Sequence, residues 1–359
     1  IRSAALWEVA RGQKRLVLGG RAALFAPPVA GGLIIVHQEH DPSYKEQRAP
    51  YYDARDVAIA RAHSTGSDVL LTSRTPSLWA MSRDDLQMQQ PQHDEEAKVW
   101  PVVELVRQGT SKMPRRTIAA IIETFSKGAR SLVLLPRVSS TESGPGPAEV
   151  VDFLKRVVPL AQVARADRPS LGDRPGSLKR ILNADVIVAT EAALAEVDRP
   201  QLSTTIALSA DSYLKKQQGR AIEDTFATLW NLAALVAGPG STGRLFVETS
   251  RQDHHVMQAL VRGDYDYFVK QELDSRRESQ SPPFVRLARL RFTKGEPDDE
   301  LIERLKALPG TRVLGPSVSE DGAQILLKIE KMDESVEQLG HIVREASQRI
   351  LIEVDPRDW

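Results

Sequence analysis

Two polar clusters near the start of the chain contain residue types that could do chemistry. The first, His37-Gln38-Glu39-His40, directly follows the apolar run Leu33–Val36. Two histidines at the end of a strand could lie beside a metal ion, but a third ligand is not apparent. Nucleotide-hydrolysing proteins place an Asp-Glu pair for Mg²⁺ and water at such a strand end, and an imidazole and an amide cannot do that work.

The second cluster lies in the proline-punctuated segment 41–56, where tyrosines alternate with cations. Its members are Tyr44, Lys45, Arg48, Tyr51, Tyr52 and Arg55. Tyrosine rings offer stacking faces for bases and cations follow phosphates, which is how single strands are held without sequence readout. A rigid surface loop whose tyrosines pack against neighbouring residues is the alternative, and composition does not separate the two.

Composition excludes several classes of protein. The 359 residues include no Cys, which excludes disulfides, Cys-ligated zinc, iron–sulfur clusters and thiol catalysis. The sequence contains no Gly-Lys pair and therefore no P-loop. A formal net charge of +0 excludes a polybasic protein, and 41% hydrophobic with 27% charged residues is typical of a globular chain. No apolar run approaches the length of a membrane span.

Short apolar runs alternate with helical patterns up to about residue 280, which predicts an α/β fold with a parallel sheet. Strands are predicted at 16–18, 33–36, 69–72, 131–135, 162–165, 185–190, 205–210 and 245–249. Helices are predicted at 52–63, 149–158, 225–236 and 256–272, with His254-His255 as a surface pair at the start of the last. The acidic stretch 84–104 is predicted to be a polar crossing between lobes.

The pattern changes after Ser281-Pro282-Pro283. The predicted order from there is β-α-β-β-α-β, which is the ferredoxin-like split unit. Residues 294–359 include nine basic and 15 acidic side chains, a net charge of −6. We therefore expect a small, acidic α+β domain at this end of the chain.

Read in order, these segments resemble the PriA family, the replication-restart DNA helicases of bacteria. Leu18–Pro27 resembles the family pattern GTRSALFAP, Leu33–Lys45 resembles VVDEEHDxSYK, and Ala54–Ala58 resembles ARDxA. Further matches follow in the family's order at 72–78, 163–168, 185–191, 208–211, 263–265, 281–288 and 354–356. The resemblance therefore covers the whole chain.

The resemblance implies two RecA-like helicase lobes, the first incomplete, and a small α+β ferredoxin-like C-terminal domain. Residues 1–105 would be the latter part of lobe 1, residues 106–280 lobe 2 without the family's zinc insertion, and residues 281–359 the PriA-type C-terminal domain. The family's N-terminal DNA-binding domains and the strand that bears its Walker A loop are expected upstream of Ile1.

The departures from the family pattern fall at its ATP site. The family's Asp-Glu-Glu-His is His37-Gln38-Glu39-His40 here, so the Asp for Mg²⁺ and the Glu for the attacking water are both replaced. The positions of the degenerate motor site are His37, Gln38, Glu39, His40, Arg74, Glu191, Pro239 and Thr242. Pro239 and Thr242 stand where the family has arginines for the γ-phosphate, and the loop 138–147 replaces the zinc insertion. The resemblance thus predicts a pseudo-helicase with no catalytic residues and no ATP, magnesium or zinc cofactor.

The residues that face DNA in the family are retained. Arg21 matches the arginine of the first lobe's strand-contact motif, and the 44–56 loop matches an aromatic-rich loop that touches single-stranded DNA. The predicted DNA-binding residues are Arg21, Tyr44, Lys45, Arg48, Tyr51, Tyr52 and Arg55. Gln324 matches a glutamine near the family's pocket for the acidic tail of the single-stranded-DNA-binding protein, although Glu320 and Asp321 replace basic residues there and oppose an acidic partner.

These inferences predict a replication-restart protein that binds single-stranded or branched DNA at stalled forks as a platform for primosome assembly. One alternative is an active ATP-dependent 3′–5′ DNA helicase whose Walker A loop lies upstream and uses ATP and Mg²⁺. Another is a protein-interaction scaffold with little DNA affinity. The expected partners are single-stranded or forked DNA, the single-stranded-DNA-binding protein, and primosome or helicase-loading proteins, with no membrane. The expected location is the cytoplasm, at the bacterial nucleoid.

Overall fold

The computed structural model divides the chain into two compact units. Unit 1 combines residues 1–86 with residues 272–359, and unit 2 spans residues 87–271. The structure describes residues 3–27, 31–89, 99–109, 111–136, 145–167, 180–181, 183–191, 202–214, 219–237, 243–293, 295–319, 322–346 and 348–357. The expected domain boundaries near 105 and 280 stay predictions.

The first part of unit 1 is a parallel strand pair with a connecting helix. Strand β1 (Leu33–His37) pairs with β2 (Asp68–Thr72), and α2 (Ala54–Thr65) joins them. Asp53 caps the start of α2 by accepting a hydrogen bond from the Arg55 amide, and Gly66 ends it in the left-handed conformation at φ 62°. The helix buries Ala54, Ala58 and Ala62, which are four residues apart and therefore share one face.

Helices α1 (Ser3–Ala10) and α3 (Leu78–Met81) and 3₁₀ turns at Arg21–Phe25 and Pro42–Tyr44 complete this part. The strand predicted at 16–18 is absent, so that prediction was wrong. Leu16 and Leu18 are 74% and 85% exposed, and the segment pairs with no strand in the described part of the chain. An apolar run forms a strand only where a ladder partner satisfies its backbone.

The second part of unit 1 is a four-stranded antiparallel sheet in the order β10-β11-β9-β12. Its strands are β9 (Arg286–Phe292), β10 (Thr311–Ser319), β11 (Gly322–Ile329) and β12 (Ile350–Val354). Helices α10 (Asp299–Lys306) and α11 (Met332–Glu345) pack with the sheet around one apolar core. The predicted β-α-β-β-α-β order is confirmed.

Unit 2 is built on a parallel sheet of six strands in the order β3-β8-β7-β4-β6-β5. The strands are β3 (Val102–Val106), β4 (Arg130–Leu135), β5 (Val163–Ala166), β6 (Val186–Thr190), β7 (Leu202–Ala207) and β8 (Arg244–Glu248). Sequence reasoning missed β3, which lies in the stretch predicted to be a polar crossing and pairs with β8 at the edge of the sheet. The mixed α/β fold is confirmed, and the two kinds of sheet are consistent with RecA-like lobes and a small C-terminal domain.

The described helices of unit 2 are α4 (Arg115–Ser126), α5 (Pro147–Val157), α6 (Asp211–Leu214), α7 (Ala221–Ala234), α8 (His255–Arg262) and the start of α9 (Tyr265–Glu278). The single helix predicted at 256–272 is wrong, because Gly263 ends α8 at φ 64°. A Cβ at this glycine would lie 2.7 Å from Trp100 Cγ, so the backbone conformation and the close packing both require glycine.

Candidate functional site

A buried polar network lies at the carboxyl end of β1. Glu39 is 1% exposed, and its carboxylate accepts hydrogen bonds from the Ser77 hydroxyl at 2.8 Å and the Ser77 amide at 2.5 Å. Arg55 Nη1 donates to Glu39 Oε2 at 3.1 Å and to Ser77 Oγ at 3.2 Å. We call Glu39, Arg55, Ser77 and Asp53 the buried network. Ser77 also caps α3, so one residue fixes a helix start and a carboxylate together.

Arg55 is the centre of this network and is 3% exposed. Its guanidinium forms a two-pronged pair with Asp53, at 3.0 Å and 2.7 Å, and lies 4.5 Å from the Trp79 ring centroid. Burial alone would lower the pKa of Arg55, but the hydrogen bonds and charges of Asp53 and Glu39 raise it. The sequence predicted Arg55 to bind DNA, and the structure instead places its donors on protein acceptors.

The positions next to Glu39, at the end of β1 and in the turn that follows, are more exposed than Glu39. His37 and Gln38 are exposed, with His37 Nδ1 hydrogen-bonded to Thr72 Oγ1 at 3.1 Å and Gln38 in the left-handed region at φ 51°. His40 Nδ1 pairs with Ser73 Oγ at 2.7 Å, and Arg74 is exposed on the same loop. This strand end therefore presents an imidazole and an amide to solvent beside a carboxylate that Arg55 already holds.

The loop 44–56 is folded back on itself by hydrogen bonds of its backbone and side chains. Lys45 pairs with Asp53 as an isolated antiparallel bridge, and the Glu46 amide donates to the Tyr52 carbonyl at 2.9 Å. Arg21 donates to the Lys45 carbonyl at 2.5 Å and forms an ion pair with Glu46 at 3.1 Å. These contacts bring Arg21 and the loop together, and they occupy part of the Arg21 guanidinium.

Lys45 connects this loop to the last strand of the same unit. Its side chain is 8% exposed, and Nζ donates to the carbonyl of Val354, the last residue of β12, at 2.5 Å. Burial lowers the pKa of Lys45, and the charges of Asp355 and Asp53 oppose that shift. This environment makes Lys45 a tether between the loop and β12, with its ammonium directed at a protein acceptor.

The three tyrosines of the loop have different surroundings. The Tyr44 hydroxyl donates to the His37 carbonyl at 2.7 Å, and burial raises the pKa of Tyr44. The Tyr52 ring meets Phe25 edge-on at 5.4 Å between centroids. Tyr51 is half-buried at a turn closed by its amide on the Arg48 carbonyl at 2.8 Å, and Arg48 is exposed. We call Arg48 and Tyr51 the loop tip, because they combine a cation and a ring with partial exposure.

The altered positions in unit 2 are only partly described. The carboxylate of Glu191 accepts a hydrogen bond from the Thr228 hydroxyl at 2.5 Å, whereas Pro239 and Thr242 lie outside the described residues. Sequence reasoning missed two buried carboxylates of unit 2. Glu248 is the last residue of β8, and Asp211 is the first residue of α6. Glu248 accepts from the Ser209 amide at 2.8 Å, and Asp211 accepts from the Thr249 hydroxyl at 2.5 Å. A Glu ending an otherwise apolar strand was the available signal for the first.

The remaining predicted positions are separate from this cluster. Gln324 is exposed on β11, opposite Arg291 on one side and Ser317 on the other, while Glu320 and Asp321 lie outside the described residues. The His254-His255 pair is half-buried, because His254 caps α8 and His255 stacks near Phe268 at 6.0 Å. In the described part of the chain no group of three or more His, Asp or Glu side chains could hold a metal ion.

Comparison with known proteins identifies relatives of the chain. No family model matches the chain. The replication restart protein PriA of Bacillus subtilis is 26% identical over 87% of this chain, and that of Haemophilus influenzae is 25% identical over 98%. The chain is a PriA-like protein.

The PriA-like chain spans about half the length of the curated relatives it matches. It covers 48% of the B. subtilis protein and 60% of the H. influenzae protein. The replication restart protein PriA of Chlamydia pneumoniae gives a similar result, 25% identity over 79% of this chain and 48% of its own length. None of the described helices has the length and apolarity needed to cross a bilayer.

Proposed function

We propose that the chain is part of a replication-restart protein that binds single-stranded or branched DNA as a platform and no longer hydrolyses ATP. The similarity to proteins named replication restart protein PriA supports the first half of this proposal. On this account DNA and primosome-related proteins are its partners, and it acts at the bacterial nucleoid. The division into residues 1–105, 106–280 and 281–359 belongs to the same proposal.

The observation that carries the proposed loss of ATP hydrolysis is the contrast between adjacent residues at the end of β1 and in the turn that follows. Glu39 keeps the contacts that a structural carboxylate needs, whereas His37 and Gln38 present an imidazole and an amide where the resemblance implies Asp and Glu. Phosphoryl transfer depends on a metal-binding carboxylate and on a residue that orients the nucleophile. Removing one such group normally costs orders of magnitude in rate.

The DNA contact is proposed for the loop tip and for Arg21. Arg48 is exposed, Tyr51 is half-buried at the same turn, and Arg21 retains 29% exposure of its side chain. A cation beside an aromatic face binds single strands by phosphate attraction and base stacking. Arg55 and Lys45 are left out of this surface, because both are buried and donate to protein acceptors.

The experiment measures phosphate release and DNA binding by the full-length protein. We expect no phosphate release above background with single-stranded or forked DNA, and binding of the forked oligonucleotide that weakens steeply with salt. The variant His37→Asp/Gln38→Glu is the matched comparison, because both positions are exposed and the substitutions leave the buried network intact. DNA-stimulated turnover by the unmodified protein would instead establish the active helicase, and absence of DNA binding would leave the interaction scaffold.

A further inference from the structure

A cleft of about 350 Å³ opens at one end of the antiparallel sheet of unit 1. It lies where α10 leads into β10 and where β11 ends, so Lys306, Arg312, Lys328 and Glu330 all line it. The cleft is at the opposite end of β10 and β11 from Ser319 and Gly322, where the two strands meet. It therefore lies away from Gln324, and neither residue of the loop tip lines it.

Two of the lining cations are placed in unfavourable proximity by the sheet itself. Arg312 and Lys328 are direct partners in the β10–β11 register, so their side chains leave the same face side by side. Like charges directly opposite each other across an antiparallel pair are destabilising. Burial, followed by the charge of Arg312, lowers the pKa of Lys328, as expected for an ammonium with too little negative charge around it.

The surrounding groups do not neutralise this pair. Lys328 Nζ donates to the Ser279 carbonyl at 3.1 Å and to Ser281 Oγ at 3.5 Å, both uncharged acceptors. Glu330 accepts from Gln280 Nε2 at 3.2 Å. Among the described residues no carboxylate forms an ion pair with Arg312 or Lys328.

Lys306 adds a third positive charge at the edge of the cleft. It pairs with Glu303 at 2.8 Å, but both side chains are more than half exposed, so this pair is weak and easily exchanged. These three cations lie together in a part of the chain that is acidic, because residues 294–359 carry a net charge of −6. A local rule broken in this way without compensation in the protein is typical of a site whose partner is a ligand.

We propose that this cleft binds a phosphate group between Arg312 and Lys328, with Lys306 at its rim. The planar guanidinium offers two parallel donors to a phosphate, and the ammonium supplies a second charge beside it. The phosphate could be part of a DNA strand or belong to a small molecule, and the recognition chemistry is the same. The site is independent of the loop tip, so it can exist whether or not the proposed DNA contact there is correct.

The test compares thermal unfolding of the full chain in inorganic phosphate and in potassium chloride at equal ionic strength and pH. At a phosphate concentration about five times Kd, binding to the folded state raises Tm by about 2–4 °C. Arg312→Glu should abolish this rise and should itself raise Tm in chloride, because it converts the repulsion with Lys328 into an attraction. Arg349→Glu is the matched control, because Arg349 is an exposed cation directly before β12. This variant should keep the rise in Tm.

Oligonucleotides identify the source of the phosphate. Fluorescence anisotropy is measured with a single-stranded oligonucleotide with and without a 5′-phosphate, for the unmodified protein, Arg312→Glu and Arg48→Gln. A weaker affinity in Arg312→Glu assigns the cleft to DNA phosphate, and an unchanged affinity together with the phosphate-dependent Tm rise assigns it to a free phosphate ligand. The proposal is overturned if Arg312→Glu keeps the full Tm rise, or if the unmodified protein shows neither the rise nor a loss of DNA affinity on this substitution. Arg48→Gln reports separately on the loop tip.

Discussion

The buried network and the loop tip lie on the same short stretch of chain and follow opposite rules. In the buried network every charge has a fixed partner, with Arg55 held by Asp53 and Glu39. At the loop tip Arg48 is exposed. His37 and Gln38, which precede Glu39 in the sequence, are exposed too. The difference separates side chains that shape this strand end from side chains that are accessible at its surface.

The largest effect is expected from breaking the network at its centre. Arg55→Met removes the cation that neutralises two buried or half-buried carboxylates, so the free energy of unfolding should fall by about 3–5 kcal/mol. Chemical denaturation monitored by tryptophan fluorescence measures the change, since Trp79 lies under the guanidinium. Arg48→Met at the loop tip is the control and should change stability by less than about 0.5 kcal/mol. Equal effects of the two substitutions would abolish the distinction between the regions.

Two adjacent positions sharpen the comparison with nearly isosteric changes. Glu39→Gln leaves Arg55 with one carboxylate fewer and places an amide where the acceptors are needed, which should cost about 1–3 kcal/mol of stability. Gln38→Glu changes an exposed side chain and should cost less than about 0.5 kcal/mol. Both are measured in one denaturation series. A large loss of stability in Gln38→Glu with little loss in Glu39→Gln would contradict the assignment of Glu39 as structural and Gln38 as exposed.

The loop tip should affect DNA binding and leave stability unchanged. Tyr51→Ala should weaken binding of single-stranded DNA by about 1–3 kcal/mol, the value of one base–ring contact. Arg48→Gln should weaken binding of every sequence and reduce the slope of log K against log salt by about one. Anisotropy titrations at several salt concentrations give both numbers, with Lys155→Ala on α5 as an exposed control. If neither substitution moves the affinity, the loop packs against protein and does not contact DNA.

The smallest effect is expected at the boundary between the two regions. Lys45→Met keeps the length of the buried side chain but loses the hydrogen bond to Val354. We expect a loss of DNA affinity of a few-fold, about 0.5–1 kcal/mol, because a hydrogen bond that positions the loop is lost while no DNA contact is removed, and the salt slope should stay unchanged. A slope that falls by about one would show that Lys45 contacts a phosphate and is not a tether.

Hydrophobic patterning predicted most of the fold. One strand of the predicted β-α-β-β-α-β order is β11, in which the buried Ala323, Ile325, Leu327 and Ile329 alternate with less buried residues. Strand β3 was missed because acidic and glutamine-rich neighbours hide a run of only five residues, and its middle residue is Glu104. The strand at Leu16–Leu18 was predicted wrongly because apolar residues alone do not supply a ladder partner.

The site was less predictable, because burial depends on tertiary contacts. A basic residue in a tyrosine-rich segment resembles a phosphate ligand. The sequence of the segment does not show that Asp53 caps the start of a helix and that Arg55 is buried in it. The partners Ser77 and Trp79 lie more than twenty residues away in sequence and could not be paired with Arg55 by spacing. The same applies to Lys45 and Val354, which are separated by 309 positions.

The most direct test of the account is the rate of phosphate release by the purified full-length protein with forked DNA, recorded alongside the binding isotherm for the same DNA. The account predicts saturable, salt-sensitive binding with no release above that of the protein without DNA. Release that rises with DNA concentration and follows the binding isotherm would contradict it, because the strand end bearing His37 and Gln38 would then still support hydrolysis.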